Sequence, residues 1–325
     1  MSIVVTGSVA YDYLMSFPGR FSEHIIPDQI QHISLSILVD SMRKQRGGCA
    51  PNIAYSLALL DERPTVLATV GQDFGEYRAW LESVGVDTSA MVEIADDFTA
   101  SCFINTDRDN NQIVSFYGGA MGRADQLSFC TFRPGQVEVT IISPNAPAAM
   151  TKYAGECQEL GIPYVYDPSQ QIVWLSGDDL LAGIRGARVL IGNEYEFGMM
   201  RNKTGLSHEE LLALPEITIV TLGEQGSTIY ADGQEFHIPA VAPDSLVEPT
   251  GAGDAYRAGI IKGLLHGYPW ETTGRIAALT ATYVLEQHGP QNHHFTLEEF
   301  IARYRQAFGD APELIDLQTN KSTKE

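Results

Sequence analysis

The chain has 325 residues, 44% of them hydrophobic, which is enough for a large buried core in one domain or in one domain with an appendage. Its 21 basic and 41 acidic side chains give a formal net charge of −20, which argues against nucleic acid or an anionic membrane as a partner held by bulk charge. The four cysteines form no CxxC pair, and neither a basic leader nor a long apolar run is present, so we expect a cytoplasmic protein without a zinc site or a membrane span.

Short β-branched runs alternate with helical patterns along most of the chain. Strands are predicted, in order, over residues 3–7, 65–70, 137–143, 163–167, 187–193 and 217–223. Helical patterns fall between them, for example over residues 52–60 and 74–85. Unbroken apolar strands separated by helices predict an α/β fold with a doubly wound, mostly parallel sheet.

Two regions interrupt this alternation. Residues 13–46 are strand-like and mixed, with HISLSILV at 32–39, and residues 99–117 resemble a hairpin around a polar turn. Together they predict a small β lid standing off the main sheet. The predicted organisation is an α/β core (1–12, 47–98 and 118–317), a β lid (13–46 and 99–117) and a flexible tail (318–325).

Small or polar residues come directly after the predicted core strands. In open α/β sheets, ligands bind beyond the carboxyl ends of the strands, so these residues should share one edge of the sheet. They are Gly7-Ser8, Asn145, Asp167, Asn193 and Thr221-Leu222-Gly223. The order of the strands thus predicts where a ligand binds, and it does not predict which reaction takes place there.

The stretch TGAGDAYRAGIIKGLLHG (250–267) places glycines before an apolar helical pattern. Backbone N–H groups crowded at a helix N-terminus form an anion site together with the helix dipole. We expect the amides of Ala252, Gly253 and Asp254 to hold a transferred phosphoryl group, and the Asp254 carboxylate to accept the proton of an alcohol. A glycine turn with an ordinary first-turn acid behind it is an equally good interpretation of this stretch alone.

A second glycine stretch adds weight to the chemical interpretation. RGGCAPNIAYSLALLDERPTVLATVGQDFGEYRAWLESVGV (46–86) places two glycines before Asn52 at a helix start, then a strand and GQDFG. NEYE (193–196) matches an N-x-x-E motif, and VTLGEQGS (220–227) is similar to a nucleotide-binding loop. In these motifs and their order, over nearly the whole chain, the sequence resembles the ribokinase-like (PfkB) carbohydrate and nucleoside kinases.

Within that family, four strings resemble bacterial adenosine kinases of the mycobacterial type. They are VTGSVAYDYLMSFPGRFSEHIIP (5–27), SLSILVD (34–40), SFYGGAM (115–121) and DPSQQ (167–171). The resemblance implies ATP-dependent phosphorylation of the 5′-hydroxyl of a nucleoside, above all adenosine, with Mg²⁺. It also implies a homodimer joined through the lid.

The resemblance further implies roles for individual residues. Asp254 would be the general base, and the anion hole would be Gly251, Ala252 and Gly253. Asp12 would bind two ribose hydroxyls and Phe116 would stack on the base, in a pocket completed by Ser8, Ser36, Gly48, Asn52, Gln170 and Gln171. The ATP site would comprise Asn193, Thr221, Gly223 and Gly226, with Glu196 binding Mg²⁺ through water. Arg257 is either a phosphate contact or an exposed helix arginine.

Three positions depart from the family pattern. Cys102 stands where the mycobacterial-type enzyme has an aromatic side chain beside the base, which puts adenosine itself in question. Glu248-Pro249 replaces an Asp-Thr pair linked to monovalent cations, so K⁺ dependence stays open, and Pro51 fills a position that is often Gly or Thr. A sugar kinase with the same machinery and a catalytically idle nucleoside-binding protein are the alternatives.

Overall fold

The computed structural model describes residues 2–25, 31–32 and 34–319. Its strands are, in chain order, β1 (Ser2–Thr6), β2 (Ala10–Ser16), β3 (Ser41–Gly47), β4 (Pro64–Leu67), β5 (Thr69–Gly71), β6 (Val92–Ile94), β7 (Ala100–Thr106), β8 (Gln112–Tyr117), β9 (Val137–Ile142), β10 (Tyr164–Tyr166), β11 (Val189–Asn193), β12 (Ile217–Thr221), β13 (Ser227–Ala231) and β14 (Gln234–Ile238).

The helices alternate with these strands. They are α1 (Phe21–His24), α2 (Cys49–Leu59), α3 (Gly75–Ser83), α4 (Pro147–Leu160), α5 (Gly177–Arg185), α6 (Glu194–Thr204), α7 (His208–Leu212), α8 (Ala252–His266), α9 (Trp270–Leu285), α10 (Leu297–Phe308) and α11 (Leu314–Thr319). Within the described ranges, none of them is long and apolar enough to cross a membrane.

The main sheet has eight strands in the order β14-β13-β12-β11-β10-β9-β1-β4. Neighbouring strands from β12 through β4 pair in parallel, while β13 and β14 form an antiparallel edge. Successive residues of β1 face opposite sides: Val5 packs in one apolar cluster with Ile53 and Ile260, and Val4 packs in another with Met150. Both faces are therefore covered by helices, and the predicted doubly wound α/β fold is confirmed.

A second sheet, here called the lid sheet, has the order β3-β2-β7-β8. Its strands β2 and β7 pair in parallel and the other two pairs are antiparallel. The predicted hairpin is confirmed, because β7 and β8 flank a turn at 107–111 in which the Asp107 carboxylate accepts the N–H groups of Asp109 and Asn111. The placement of the core–lid boundaries at residues 12/13 and 46/47 stays a prediction.

The strand-like interpretation of HISLSILV is wrong for residues 34–39, which contain no strand. The strand that pairs with β2 on this side of the lid sheet is β3, and Leu38 in the segment is 86% exposed. Residue 33 lies outside the described residues, as do residues 320–325 of the predicted tail, while residues 318 and 319 end α11.

Candidate active site

One cavity of about 470 Å³ opens at the carboxyl edge of the parallel strands. Its wall includes a residue at or just beyond the end of each of five neighbouring strands: Ser8, Pro144, Asp167, Asn193 and Thr221. The predicted location beyond the strand ends is confirmed, although Pro144 lines the cavity in place of its neighbour Asn145. The volume suits a small organic ligand.

Two helix N-termini meet at the floor of this cavity. Gly48 precedes α2 with φ +94°, and a β-carbon there would lie 2.5 Å from the carbonyl oxygen of Ser8. Gly251 precedes α8 with φ +86°, and a β-carbon there would lie 2.4 Å from a side-chain carbon of Pro290. Only glycine fits both positions without strain, and each glycine brings the positive end of a helix dipole to the cavity.

Asp254 lies in the first turn of α8 and faces Asn52 of α2. The Asn52 side-chain amide donates a 2.8 Å hydrogen bond to Oδ2 of Asp254. Burial raises the pKa of Asp254 to about 6, and the hydrogen bond from Asn52 and the positive charge of Arg257 oppose the rise. The group is therefore mostly ionised at neutral pH yet able to take a proton, as a general base requires.

The first turn of α8 carries backbone donors without an acceptor in the described part of the chain. Among the described residues, the N–H groups of Gly253 and Asp254 have no hydrogen-bond acceptor in the protein. Two unpaired amides at a helix N-terminus are suited to hold an anion. The expected contribution of the Ala252 amide is wrong in this conformation, because that N–H donates to the Pro249 carbonyl at 3.2 Å.

Arg257 is one turn further along α8 and is buried, with 7% of its surface exposed. Its guanidinium binds the Asp167 carboxylate with two donors, Nε and Nη2, the latter at 2.6 Å. It also donates from Nη1 to the Gly253 carbonyl at 2.9 Å. The interpretation of Arg257 as an exposed helix arginine is therefore wrong. Arg257 is a buried partner of Asp167, and its bond to the Gly253 carbonyl fixes the glycine turn at the start of α8.

The lid sheet presents a row of three side chains to the cavity. Asp12 on β2, Cys102 on β7 and Phe116 on β8 are paired in register and all line the cavity wall. Burial, with a smaller effect of the Glu248 charge, raises the pKa of Asp12 to about 6. Phe116 is 53% exposed, so its ring is not a packed hairpin core residue and is available to a ligand.

Asn193 and Glu196 form a reciprocal capping box at the start of α6. The Glu196 amide donates to Oδ1 of Asn193 at 2.9 Å, and Oε2 of Glu196 accepts the Asn193 amide at 2.8 Å. Oε1 of Glu196 accepts the Ser169 hydroxyl at 2.9 Å. Both motif side chains line the cavity, so the N-x-x-E motif caps a helix and also places a carboxylate at the ligand site.

The structure does not bring every predicted residue to the cavity wall. Those that line it are Ser8, Asp12, Gly48, Asn52, Phe116, Gln170, Asn193, Glu196, Thr221, Gly251, Gly253 and Asp254. Those that do not are Ser36 and Gln171 from the predicted nucleoside pocket, Gly223 and Gly226 from the predicted ATP site, and Ala252. Gly223 and Gly226 lie on the turn after β12, next to Thr221.

Several cavity residues were not among the predicted site residues. They are Ala10, Cys49, Pro144, Ser169 and Thr250, together with Asp167, Cys102 and Arg257, which were named from the sequence without being assigned to the site. Asp167 was detectable as a strand-end residue, and Thr250 as the residue that opens the glycine motif. Nothing in the sequence indicated that Asp167 and Arg257 form a pair, because 90 residues separate them.

Comparisons with known proteins agree with this geometry. A nucleoside kinase of Methanothermobacter thermautotrophicus is 30% identical over 313 residues, which cover 95% of this chain and 97% of that protein. A nucleoside kinase of Burkholderia thailandensis, solved in complex with inosine, is 35% identical with a TM-score of 0.85 over 95% of this chain and 99% of that one. A Methanocaldococcus jannaschii nucleoside kinase, described as an archaeal member of the ribokinase family, is 29% identical with a TM-score of 0.84 over 94% of this chain and 98% of that one.

These similarities extend over the core, the lid sheet and the cavity, and they confirm the predicted ribokinase-like fold. The model of the pfkB carbohydrate kinase family matches residues 6–296, a range that contains every residue lining the cavity. The chain therefore belongs to the pfkB family of carbohydrate kinases and is a kinase.

Proposed function

We propose that the protein transfers the terminal phosphoryl group of ATP to the 5′-hydroxyl of a nucleoside, with adenosine as the acceptor predicted from sequence. The observation that carries the proposal is the arrangement of one cavity. The buried Asp254 carboxylate and two unpaired amides lie on its floor, and the Asp12 carboxylate and the exposed ring of Phe116 lie on the lid above. The relatives named as nucleoside kinases support the same acceptor class.

The residues divide the reaction between them. The two acceptor oxygens of Asp12 suit a ribose diol, and Phe116 offers a stacking face to the base. Asp254 takes the proton of the attacking hydroxyl as the new oxygen–phosphorus bond forms. The bond from the γ-phosphorus to the bridging oxygen breaks, its electron pair leaves with ADP, and the amides of Gly253 and Asp254 hold the developing charge.

Mg²⁺ fits this cavity as a partner of the ATP phosphates. Within residues 2–25, 31–32 and 34–319, no cluster of three or more His, Cys, Asp or Glu side chains could hold a metal ion by itself. Mg²⁺ keeps several waters and binds mainly through substrate phosphates, where it neutralises their charge. Glu196, which already accepts the Ser169 hydroxyl and the Asn193 amide, would contact it through water.

A substrate panel tests the acceptor. ATP-dependent phosphorylation of adenosine, inosine, guanosine, cytidine, ribose and fructose 6-phosphate would be measured with Mg²⁺, with and without K⁺. Turnover of nucleosides supports the proposal, and a preference for adenosine would show that Phe116 and Gln170 suffice beside Cys102. Turnover of sugars alone would assign the protein to the sugar kinases, and no turnover at all would favour a binding protein.

Replacing Phe116 with alanine should separate base recognition from phosphoryl transfer. We expect the KM for nucleosides to rise about 5- to 150-fold, because stacking on an aromatic side chain contributes about 1–3 kcal/mol per base. Phe103→Ala is the matched control, because Phe103 lies on the opposite face of the same hairpin, where it stacks on Tyr13. Equal effects of the two substitutions would contradict the assigned role.

The acidic limb of the kcat/KM profile is expected at about pH 6. Activity requires Asp254 ionised to accept a proton and Asp12 ionised to accept two hydroxyls, and burial raises the pKa of each to about 6. Activity should therefore be full at neutral pH and fall as the pH drops through 6, with a slope steeper than one proton. Asp12→Asn should reduce the slope to one proton, and a limb near pH 4 would contradict the proposal.

Two further predictions concern the state of the protein. A homodimer through the lid is supported by apolar side chains exposed on the outer hairpin strand, of which Ile113, Val114 and Tyr117 do not line the cavity. A cytoplasmic location is supported by the four cysteines, all of which are free thiols. Both stay predictions.

A further inference from the structure

A line of hydrogen bonds leads from α3 to the proposed base. The Trp80 indole N–H donates to Oε1 of Gln291 at 3.3 Å, and Nε2 of Gln291 donates to Oδ1 of Asn52 at 2.8 Å. Nδ2 of Asn52 then donates to Oδ2 of Asp254 at 2.8 Å. Gln291 and Asn52 are 2% and 5% exposed, so water does not compete for these bonds.

The two ends of this line fix the orientation of both amides between them. An indole N–H can only donate, and an ionised carboxylate can only accept. If the Gln291 amide were flipped, its NH₂ group would face the Trp80 N–H, and two donors would meet. If the Asn52 amide were flipped, its oxygen would face the Asp254 carboxylate, and two acceptors would meet. Tyr77 adds a third constraint, because its hydroxyl donates to the Gly47 carbonyl at 2.9 Å and its oxygen therefore accepts from Nε2 of Gln291.

We propose that Gln291 is a positioning residue for catalysis, which holds the Asn52 amide with its NH₂ group toward Asp254 and the cavity. Gln291 does not line the cavity, so it acts through Asn52, which does. An amide NH₂ group has two hydrogens. One is used by Asp254 and the other is available to the acceptor hydroxyl. This inference rests on the proposed function, since it assumes that Asp254 is the general base of the reaction.

Loss of the Gln291 donor has a defined consequence. Without it, only Asp254 holds the Asn52 amide, and the Asn52 side chain can move away from the carboxylate. The carboxylate then loses a donor that favours its ionised form, so the pKa of Asp254 rises. The acceptor hydroxyl also loses a partner beside the base. Turnover should fall, whereas binding of ATP on the other side of the cavity should not change.

The test compares Gln291→Glu with Asn292→Asp. Both replace an amide by a carboxylate, at adjacent positions, but the Asn292 side chain is exposed and donates only to the His288 carbonyl. For Gln291→Glu we expect kcat to fall about 10- to 100-fold, the range typical of a misplaced catalytic contact. The KM for ATP should stay within about twofold, and the acidic limb should move up by about half a pH unit or more. Asn292→Asp should leave all three unchanged.

Uncharged variants keep the test independent of added charge and of misfolding. Gln291→Met removes the whole amide, and with it the donor to Asn52, without adding charge. Trp80→Phe removes the N–H that orients Gln291 and keeps an aromatic ring, so both substitutions should shift kcat and the acidic limb in the same direction. In an Asn52→Ala background, Gln291→Met should lower kcat by less than about twofold further, since its effect passes through Asn52.

Parent-like kcat and acidic limb in folded Gln291→Glu and Gln291→Met would overturn the inference. A full further loss in the Asn52→Ala background would overturn it as well, because the effect would then be structural. Failure of this inference is distinguishable from failure of the proposed function. If Asp254→Asn retains turnover, the base itself is misassigned; if that variant is inactive while the Gln291 variants match the parent, only this inference fails.

Discussion

Replacing Asp254 with asparagine is expected to lower kcat by about 10²- to 10⁴-fold, the usual contribution of a positioned general base. The substitution keeps the size of the side chain and an oxygen that can still accept the 2.8 Å hydrogen bond from Asn52. It removes the ability to take a proton from the acceptor hydroxyl. Nucleoside affinity, measured by calorimetry without ATP, should therefore stay within about threefold, because the loss concerns the transition state alone.

Asp178→Asn is the matched control for this substitution. Asp178 is also an acid in the first turn of a helix, α5, but it is exposed and lies outside the cavity. Its replacement should leave kcat unchanged. If Asp254→Asn behaves like Asp178→Asn, Asp254 is only an ordinary first-turn acid, and a binding protein becomes the better description.

Arg257→Met should have the largest effect on stability, with the free energy of unfolding falling by about 3–5 kcal/mol. The substitution leaves the Asp167 carboxylate, which is 1% exposed, buried without its partner. Arg305→Met is the control: its pair with Asp310 is 2.9 Å long but 44% and 74% exposed, so the expected cost is about 0–1 kcal/mol. Urea denaturation measures both, and equal losses would contradict a buried, mutually dependent pair.

The pH dependence of the Arg257→Met variant has a definite sign. Burial raises the pKa of Asp167, and Arg257 opposes that rise in the parent protein. Without Arg257 the pKa rises further above its value in the unfolded chain, so the folded state binds the proton more tightly. The stability deficit should therefore be smaller at pH 5 than at pH 8. Adding Asp167→Asn to this variant should recover part of the loss, because no buried charge then remains.

The sheet edge was predictable because it depends on topology alone. Apolar runs such as residues 137–142 and 189–193 identify parallel strands, and the carboxyl ends of parallel strands lie together at one edge of the sheet. Strand order does not predict pairs of residues, such as Arg257 and Asp167, that only packing brings together. Arg257 looked exposed because a helical pattern does not say how deep its helix lies, and α8 is buried along most of its length.

Of the effects that set the protonation of Asp254, one could be predicted from the sequence and the other could not. The helix dipole acting on Asp254 can be deduced from its first-turn position, but the burial that raises its pKa depends on the surrounding fold. The role of Gln291 could not be predicted, because nothing in the loop sequence HGPQN indicates that its amide lies between Trp80 and Asn52. The prediction for Ser36 was wrong for the opposite reason. The string SLSILVD resembles one in the family and suggested a contact with the nucleoside, but this segment forms no strand and Ser36 does not line the cavity.

The register of the lid sheet has a consequence for how such an enzyme acquires new substrates. Cys102 and Phe116, which line the lid side of the cavity, belong to one contiguous hairpin, β7–β8, whereas Asp12 belongs to β2 and the proposed transfer residues to α2 and α8. Under the proposed function, a gene segment encoding residues 100–117 carries both hairpin residues that would contact the base. Evolution, or an engineer exchanging hairpins between relatives, can vary the acceptor through this single module while the phosphoryl-transfer chemistry is inherited intact.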